Sequence, residues 1–113
     1  RAAPARARKA LQEFESHSTS ADVRDQCEKL QRIVSGLIAD LAGIPEAGLT
    51  PRDAEGRLDV FGVEERLRER TLAFLNECDA ARYGSADNDV AGLQQRAAAL
   101  VAALTTALRK ARG

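Results

Sequence analysis

Residues 20–43 read SADVRDQCEKLQRIVSGLIADLAG, and this stretch decides the fold of the chain. Apolar residues recur along it in steps of four and three, the spacing that places side chains on one face of an α-helix. Ser20 is a suitable N-cap, and Gly43 with Pro45 beyond it supplies a stop signal. The stretch therefore predicts a long core helix. Its apolar stripe comprises Val23, Cys27, Leu30, Val34, Leu37 and Leu41, broadened by Ile33 and Ile38.

The next local signal is GLTPRD, residues 48–53. Thr50 can accept from the backbone N–H of Asp53 while the Asp53 side chain reaches back, and Pro51 suits the first helical position. These residues predict a short third helix that ends at Gly62. Its inward residues are Ala54, Leu58 and Phe61.

Helical spacing recurs before and after this region, and no segment suggests a strand. It predicts a first helix over residues 4–16, a fourth from near Glu64, and a fifth capped by Asp87 or Asp89. We expect an all-α fold, a compact bundle of four long helices and one short helix in a single domain. Within it, residues 1–19 form a basic N-terminal helix and polar loop, and residues 20–113 form the bundle core. The expected inward residues are Ala7, Ala10, Leu11 and Phe14 in the first helix, Leu67, Thr71, Phe74, Leu75 and Cys78 in the fourth with Leu72 at its margin, and Val90, Leu93, Ala97, Leu100, Leu104 and Leu108 in the fifth.

Composition narrows the class of function. The net charge of zero and the aromatic content of 4% argue against a nucleic-acid binder. No run of 18 or more apolar residues suits a membrane span. The chain has no methionine, so we expect it to be a piece of a longer protein.

Charge is unevenly distributed along the chain. The first twelve residues hold four basic side chains and no acidic one. Such a cluster is typical of a segment just cytoplasmic of a transmembrane helix, or of a solvated helix start in an arginine-rich sequence. Charge alone leaves both interpretations open.

Candidates for chemistry are few. ECDAARYG, residues 77–84, could be a reactive site, but Asp79 can pair with Arg82 and Gly84 suits a helix stop. His17, the one histidine, has no second histidine to share a metal, so we expect neither a metal nor a cofactor. No carboxylate lies in a sequence motif that indicates a general acid or a general base. The inventory predicts a protein that is not an enzyme.

The two cysteines need separate treatment, because both fall on apolar stripes. There a free cysteine behaves as a small hydrophobic residue, so buried reduced thiols are the first interpretation of Cys27 and Cys78. A disulfide or a thiol-based redox switch between them is the alternative.

Two stretches together resemble the C-terminal domain of BatD-type oxygen-tolerance proteins. They are LAGIPEAGLTPRD, residues 41–53, and GVEERLRERTLAFLNECDAARYG, residues 62–84. The chain departs from the family where it reads YGSADND, since members often carry a proline soon after the tyrosine. The matching residues are Gly43, Pro45, Leu49, Thr50, Gly62, Val63, Cys78, Asp79, Ala81, Arg82 and Tyr83.

The resemblance implies a cellular location and a set of protein partners. Members of this family are bacterial inner-membrane proteins with a cytoplasmic helical tail, so it implies a transmembrane helix upstream of Arg1 and a position at the cytoplasmic face of the membrane. It also implies protein partners such as MoxR-type AAA+ ATPases or von Willebrand factor A domain proteins. No enzymatic chemistry is associated with the tail.

The leading hypothesis is a non-catalytic cytoplasmic interaction module that couples a membrane-anchored protein to cytosolic or membrane partners. The loops GIPEAGLT and ARYGSAD are the candidate contact regions, with Pro45, Glu46, Arg82 and Tyr83 as candidate partner-binding residues. A redox-sensing domain that uses Cys27 and Cys78, or a stand-alone helical adaptor, is the alternative.

Overall fold

The computed structural model describes residues 2–17, 23–82 and 90–112 of the chain. These residues form five α-helices and no strand, so the predicted all-α fold is confirmed. The radius of gyration, 13.3 Å, is the value expected for a folded domain of this length. The helices are α1 (Ala2–His17), α2 (Val23–Ala42), α3 (Pro51–Val60), α4 (Glu65–Arg82) and α5 (Val90–Arg112).

The helix α1 begins two residues earlier than the sequence predicted, at Ala2, and ends at His17. Pro4 is compatible with the earlier start, because the first four N–H groups of a helix have no partner within it. Pro4, Ala7 and Phe14 are buried, whereas Ala10 and Leu11 are half-buried. The predicted face of α1 is therefore the face that packs, although its middle is partly open.

The interior follows the predicted apolar stripes closely. In α2, α4 and α5 every predicted inward residue whose side chain is described is buried, except the broadening residue Ile33 and the marginal Leu72, which are half-buried. The predicted caps Ser20, Asp87 and Asp89, and the side chains of Val23 and Val90, lie outside the described set. The fully buried side chains include Leu30, Val34, Thr71, Phe74, Leu100 and Leu104.

Two successive helices end by the same mechanism. Gly43 follows α2 with φ of 73°, and the N–H of Ile44 donates to the carbonyl of Ala39 at 3.0 Å. Gly62 follows α3 with φ of 77°, and the N–H of Val63 donates to the carbonyl of Leu58 at 3.0 Å. Both are Schellman motifs, in which the glycine takes the left-handed conformation.

The start of α3 also confirms its prediction. The Asp53 N–H donates to the Thr50 hydroxyl at 3.1 Å, and the Thr50 N–H donates to the Asp53 carboxylate at 3.3 Å. Pro51 occupies the first helical position, as expected. Phe61, predicted to point inward, is half-buried, and α4 begins at Glu65, one residue later than predicted.

The helix α2 lies at the centre and packs against all four other helices, while α3 packs mainly against α4. The α1 side chains of Ala7 and Phe14 join the same core as the other helices. Ion pairs join neighbouring helices at the rim, where they add little stability. These pairs are Arg6–Asp40 at 3.0 Å, Arg68–Asp59 at 2.8 Å, and Arg96–Glu77.

Candidate functional site

The connection between α2 and α3, residues 43–50, carries two of the predicted partner-binding residues. After the glycine stop, the N–H of Leu49 donates to the carbonyl of Glu46 at 3.0 Å and closes a turn. Gly48 takes a φ of 79° inside this turn, a conformation that L-residues disfavour. Leu49 packs against the core, whereas Pro45 and Glu46 stay exposed. The connection therefore exposes Glu46 at the start of a closed turn and Pro45 directly before it.

A cleft of about 540 Å³ opens on one side of this connection, and we call it the α2 cleft. Residues 46–51 form one wall and α2 forms the other. At its border the Gln31 side-chain amide donates to the Asp79 carboxylate at 2.7 Å, and it also reaches the Leu75 carbonyl at 3.4 Å. Its charged lining residues are Glu28, Arg32, Glu46 and Asp79.

The α2 cleft brings together the two stretches that carry the family resemblance. Glu46 belongs to the first and Asp79 to the second, and both border the cleft. The predicted pairing of Asp79 with Arg82 stays a prediction, because the Arg82 side chain lies outside the described residues. Arg82 ends α4, and Tyr83 and Gly84 fall outside the described ranges entirely. The structure thus places Glu46 and Asp79 at a common surface, whereas Pro45 is not among the residues that line this cleft.

A second cleft of about 490 Å³ lies on the other side of the connection, along the outer face of α3, and we call it the α3 groove. Sequence reasoning missed it. Val60 is 76% exposed, and it is the large hydrophobic side chain most open to solvent among the described residues. The available signal in the sequence was that Val60 does not lie on the helix face of the buried residues Ala54 and Leu58. The main lining residues are Ile44, Pro45, Leu49, Arg52, Arg57 and Val60.

The thiols of Cys27 and Cys78 are both free and completely buried. Burial raises the pKa of Cys27. Burial, reinforced by the neighbouring Cys27 and by the carboxylates of Glu77 and Asp79, raises the pKa of Cys78 to about 12. The thiolate is the nucleophilic form of cysteine, so both thiols are poorly reactive in the folded state. The prediction that both side chains lie in the core is confirmed.

Two further features, metal-ligand clusters and membrane-spanning helices, can be assessed in the part of the chain that is described. There, no three His, Cys, Asp or Glu side chains are arranged to hold a metal ion. The side chain of His17 is outside the described set. In the same ranges, no helix combines the length and hydropathy needed to cross a bilayer.

Comparison with known proteins adds no identification. No protein-family model, no curated protein and no solved structure matches this chain.

Proposed function

We propose that this chain is a non-catalytic helical interaction module. It would be the cytoplasmic tail of a membrane-anchored BatD-type oxygen-tolerance protein, and it would couple that protein to cytosolic or membrane partners. The observation that carries the proposal is the α2–α3 connection. It exposes Pro45 and Glu46 where a closed turn begins, with the α2 cleft on one side and the α3 groove on the other. A fixed turn between two clefts can bind a partner with little loss of its own conformational entropy.

A cleft lined by residues that are far apart in the sequence supports this role. Glu46 and Asp79 are separated by more than thirty residues in the sequence, yet both line the α2 cleft. These stretches are the ones that resemble the BatD-type tail. A surface assembled from both would explain why the turn and the CDAARY string occur together.

The resemblance supplies the proposed partners and location. A MoxR-type AAA+ ATPase or a von Willebrand factor A domain protein would bind from the cytosol. The module would lie at the cytoplasmic face of the bacterial inner membrane, with the basic start of the chain, Arg1 to Lys9, nearest the lipid headgroups.

The thiol-based alternative has less physical support. A redox sensor needs an accessible thiol of low pKa, and both cysteines here are buried with raised pKa values. Oxidation of Cys27 or Cys78 would first require the core to open.

The proposal is tested by affinity capture from the host cytosol, with the isolated chain as bait and quantitative mass spectrometry as the readout. We expect recovery of an AAA+ ATPase or a von Willebrand factor A protein. A bait that carries Pro45→Ser and Glu46→Lys should recover much less of it, because these changes alter the exposed turn and leave the core intact.

Glu69→Lys is the matched control, since Glu69 is an exposed carboxylate on α4 that lines neither the α2 cleft nor the α3 groove. It should capture as much partner as the unaltered chain. Equal recovery by all three baits, or the absence of both protein classes from the captured material, would contradict the proposal.

A further inference from the structure

The outer face of α3 has features that the fold itself does not use. Arg52, Gly56 and Val60 recur at every fourth position, so they lie along one line of the helix surface. All three are exposed, whereas Ala54 and Leu58 on the other side are completely buried. The helix is therefore held by its inner side, and the outer side is available to another molecule.

The α3 groove has an apolar floor. A single exposed aliphatic residue is common on protein surfaces and needs no explanation. Val60 differs because it continues a surface to which Ile44, Pro45 and Leu49 also contribute. The volume of about 490 Å³ falls in the range of ligand-binding clefts.

Two arginine side chains flank this floor. Arg52 and Arg57 are both exposed, and neither guanidinium group forms an ion pair with the part of the chain that is described. The one carboxylate that lines the groove, that of Asp53, accepts the Thr50 N–H at 3.3 Å. The groove therefore has an excess of positive charge. By contrast, four other arginines do form ion pairs, namely Arg6, Arg32, Arg68 and Arg96.

Gly56 is not explained by the fold. Glycine in a helix interior is less favourable than alanine. Its φ is not positive, and a Cβ added at this position would meet no atom within 4 Å. Neither backbone conformation nor packing within the chain requires a glycine here. Its effect is to keep the groove open between Arg52 and Val60, so that another backbone can approach α3 closely.

We propose that the α3 groove binds an acidic segment of a protein partner. An aliphatic side chain of that segment lies against Ile44, Leu49 and Val60, and its carboxylates pair with Arg52 and Arg57. Charge complementarity selects this groove over the α2 cleft, where three carboxylates face one arginine. The inference rests on the proposed interaction function and adds the chemistry of the partner.

The test is a selection of random displayed peptides on the immobilised chain. We expect the enriched peptides to contain an aliphatic residue with aspartate or glutamate on both sides. The most enriched sequence is then synthesised with a fluorescent label, and its affinity is measured by anisotropy. The double variant Arg52→Glu, Arg57→Glu should bind it at least about tenfold more weakly, because both charge pairs become repulsive.

Two further variants test the apolar floor of the α3 groove and the space left free at Gly56. Val60→Ser removes the aliphatic contact, and Gly56→Gln places a side chain in the open line without lowering helix propensity. Each should weaken peptide binding about fivefold or more. The melting temperature should not fall, since both positions are exposed and outside the core. Arg70→Glu, a charge reversal at an exposed position on α4, is the matched control and should leave binding unchanged.

The outcomes separate this inference from the proposed function. Enrichment of basic or neutral peptides, no enrichment at all, or binding that survives the Arg52 and Arg57 reversals overturns the acidic-segment inference. If the enriched peptides lose affinity on Glu46→Lys but not on the Arg52 and Arg57 reversals, they bind the α2 cleft, which overturns the acidic-segment inference and leaves the interaction module standing. The proposed function itself is decided by the capture of its partners from cytosol.

Discussion

The interior where α2, α4 and α5 meet differs from the short helix α3 in how strongly packing constrains its residues. Leu30, Phe74 and Leu104 are completely buried between long helices. Helix α3 contributes only Ala54 and Leu58 as buried residues and exposes the rest of its surface wholly or in part. Packing thus accounts for the residues of the interior. It leaves the outer residues of α3 unexplained, and unusual residues there are therefore better indicators of function.

The largest test of this difference is Phe74→Ala. Phe74 is completely buried, and the Arg96 guanidinium lies 5.8 Å from its ring centroid. Removing the ring leaves a cavity and deletes a cation–π contact, so we expect a loss of about 3–5 kcal/mol in the free energy of unfolding. Urea denaturation followed by circular dichroism measures it.

Val60→Ala is the control for Phe74→Ala. It also shortens a hydrophobic side chain, but that side chain is 76% exposed. The expected change is within about 0.5 kcal/mol. If both variants lost similar amounts of stability, the division between a packed interior and a free α3 face would be wrong.

Leu58→Ala tests the inner side of α3. Leu58 is completely buried, but it lies on a short helix at the edge of the bundle. We expect a loss of about 2–3 kcal/mol, the lower part of the range for buried leucine, because α3 can move into the space left behind. Hydrogen exchange should show faster exchange first in α3 amides. A loss equal to that of Phe74→Ala, with uniform exchange, would mean that α3 unfolds only with the whole bundle.

The interior was predictable from the sequence, and most of the candidate site was not. Periodic spacing identified residues such as Cys78, because a buried helix face imposes a repeat on the sequence. The exposed turn at Pro45 and Glu46 was predictable from glycine and proline signals. The Gln31–Asp79 hydrogen bond was not, because it joins two helices whose relative register no local pattern specifies. The α3 groove was missed because Val60 is one apolar residue on an otherwise polar helix face, and a single exposed aliphatic residue does not by itself indicate a binding surface.

The buried thiols of the interior predict a specific dependence on pH. Unfolded Cys78 loses its proton near pH 9, whereas burial in the folded state raises its pKa to about 12. Between these values the folded state binds more protons than the unfolded state, so the free energy of unfolding falls as pH rises. One such thiol should remove about 2 kcal/mol between about pH 9 and about pH 11.

Cys78→Ala is the control for this pH dependence. It should make the fall in stability over that interval smaller, whatever its effect at neutral pH, and the remaining fall would include the contribution of Cys27, whose pKa is also raised. If the free energy of unfolding fell with pH at the same rate in both chains, the thiol of Cys78 would be solvated in the folded state, which would contradict its burial. Urea denaturation at several pH values provides the measurement.

Thr50→Ala tests how α3 begins. It removes the hydroxyl that accepts the Asp53 N–H at 3.1 Å, and with it one half of the capping box. We expect a loss of about 1 kcal/mol. Thr106→Ala is the matched control, because that hydroxyl donates only to the Ala102 carbonyl within α5 and is exposed, so its removal should change stability by less than about 0.5 kcal/mol. Similar losses in the two variants would mean that the cap contributes nothing beyond an ordinary surface hydroxyl.

The smallest test concerns two glycines that line the α3 groove, Gly56 and Gly48. Gly56→Ala should raise the free energy of unfolding by about 0.5–1 kcal/mol, because the position is helical and open. Gly48→Ala should lower it by about 1 kcal/mol, because alanine is strained at a φ of 79°. Changes of opposite sign at the two positions would mean that the fold requires a glycine at position 48 and does not require one at position 56. If Gly56→Ala also destabilised the chain, the glycine would have a structural role, and the open line on α3 would no longer indicate a binding surface.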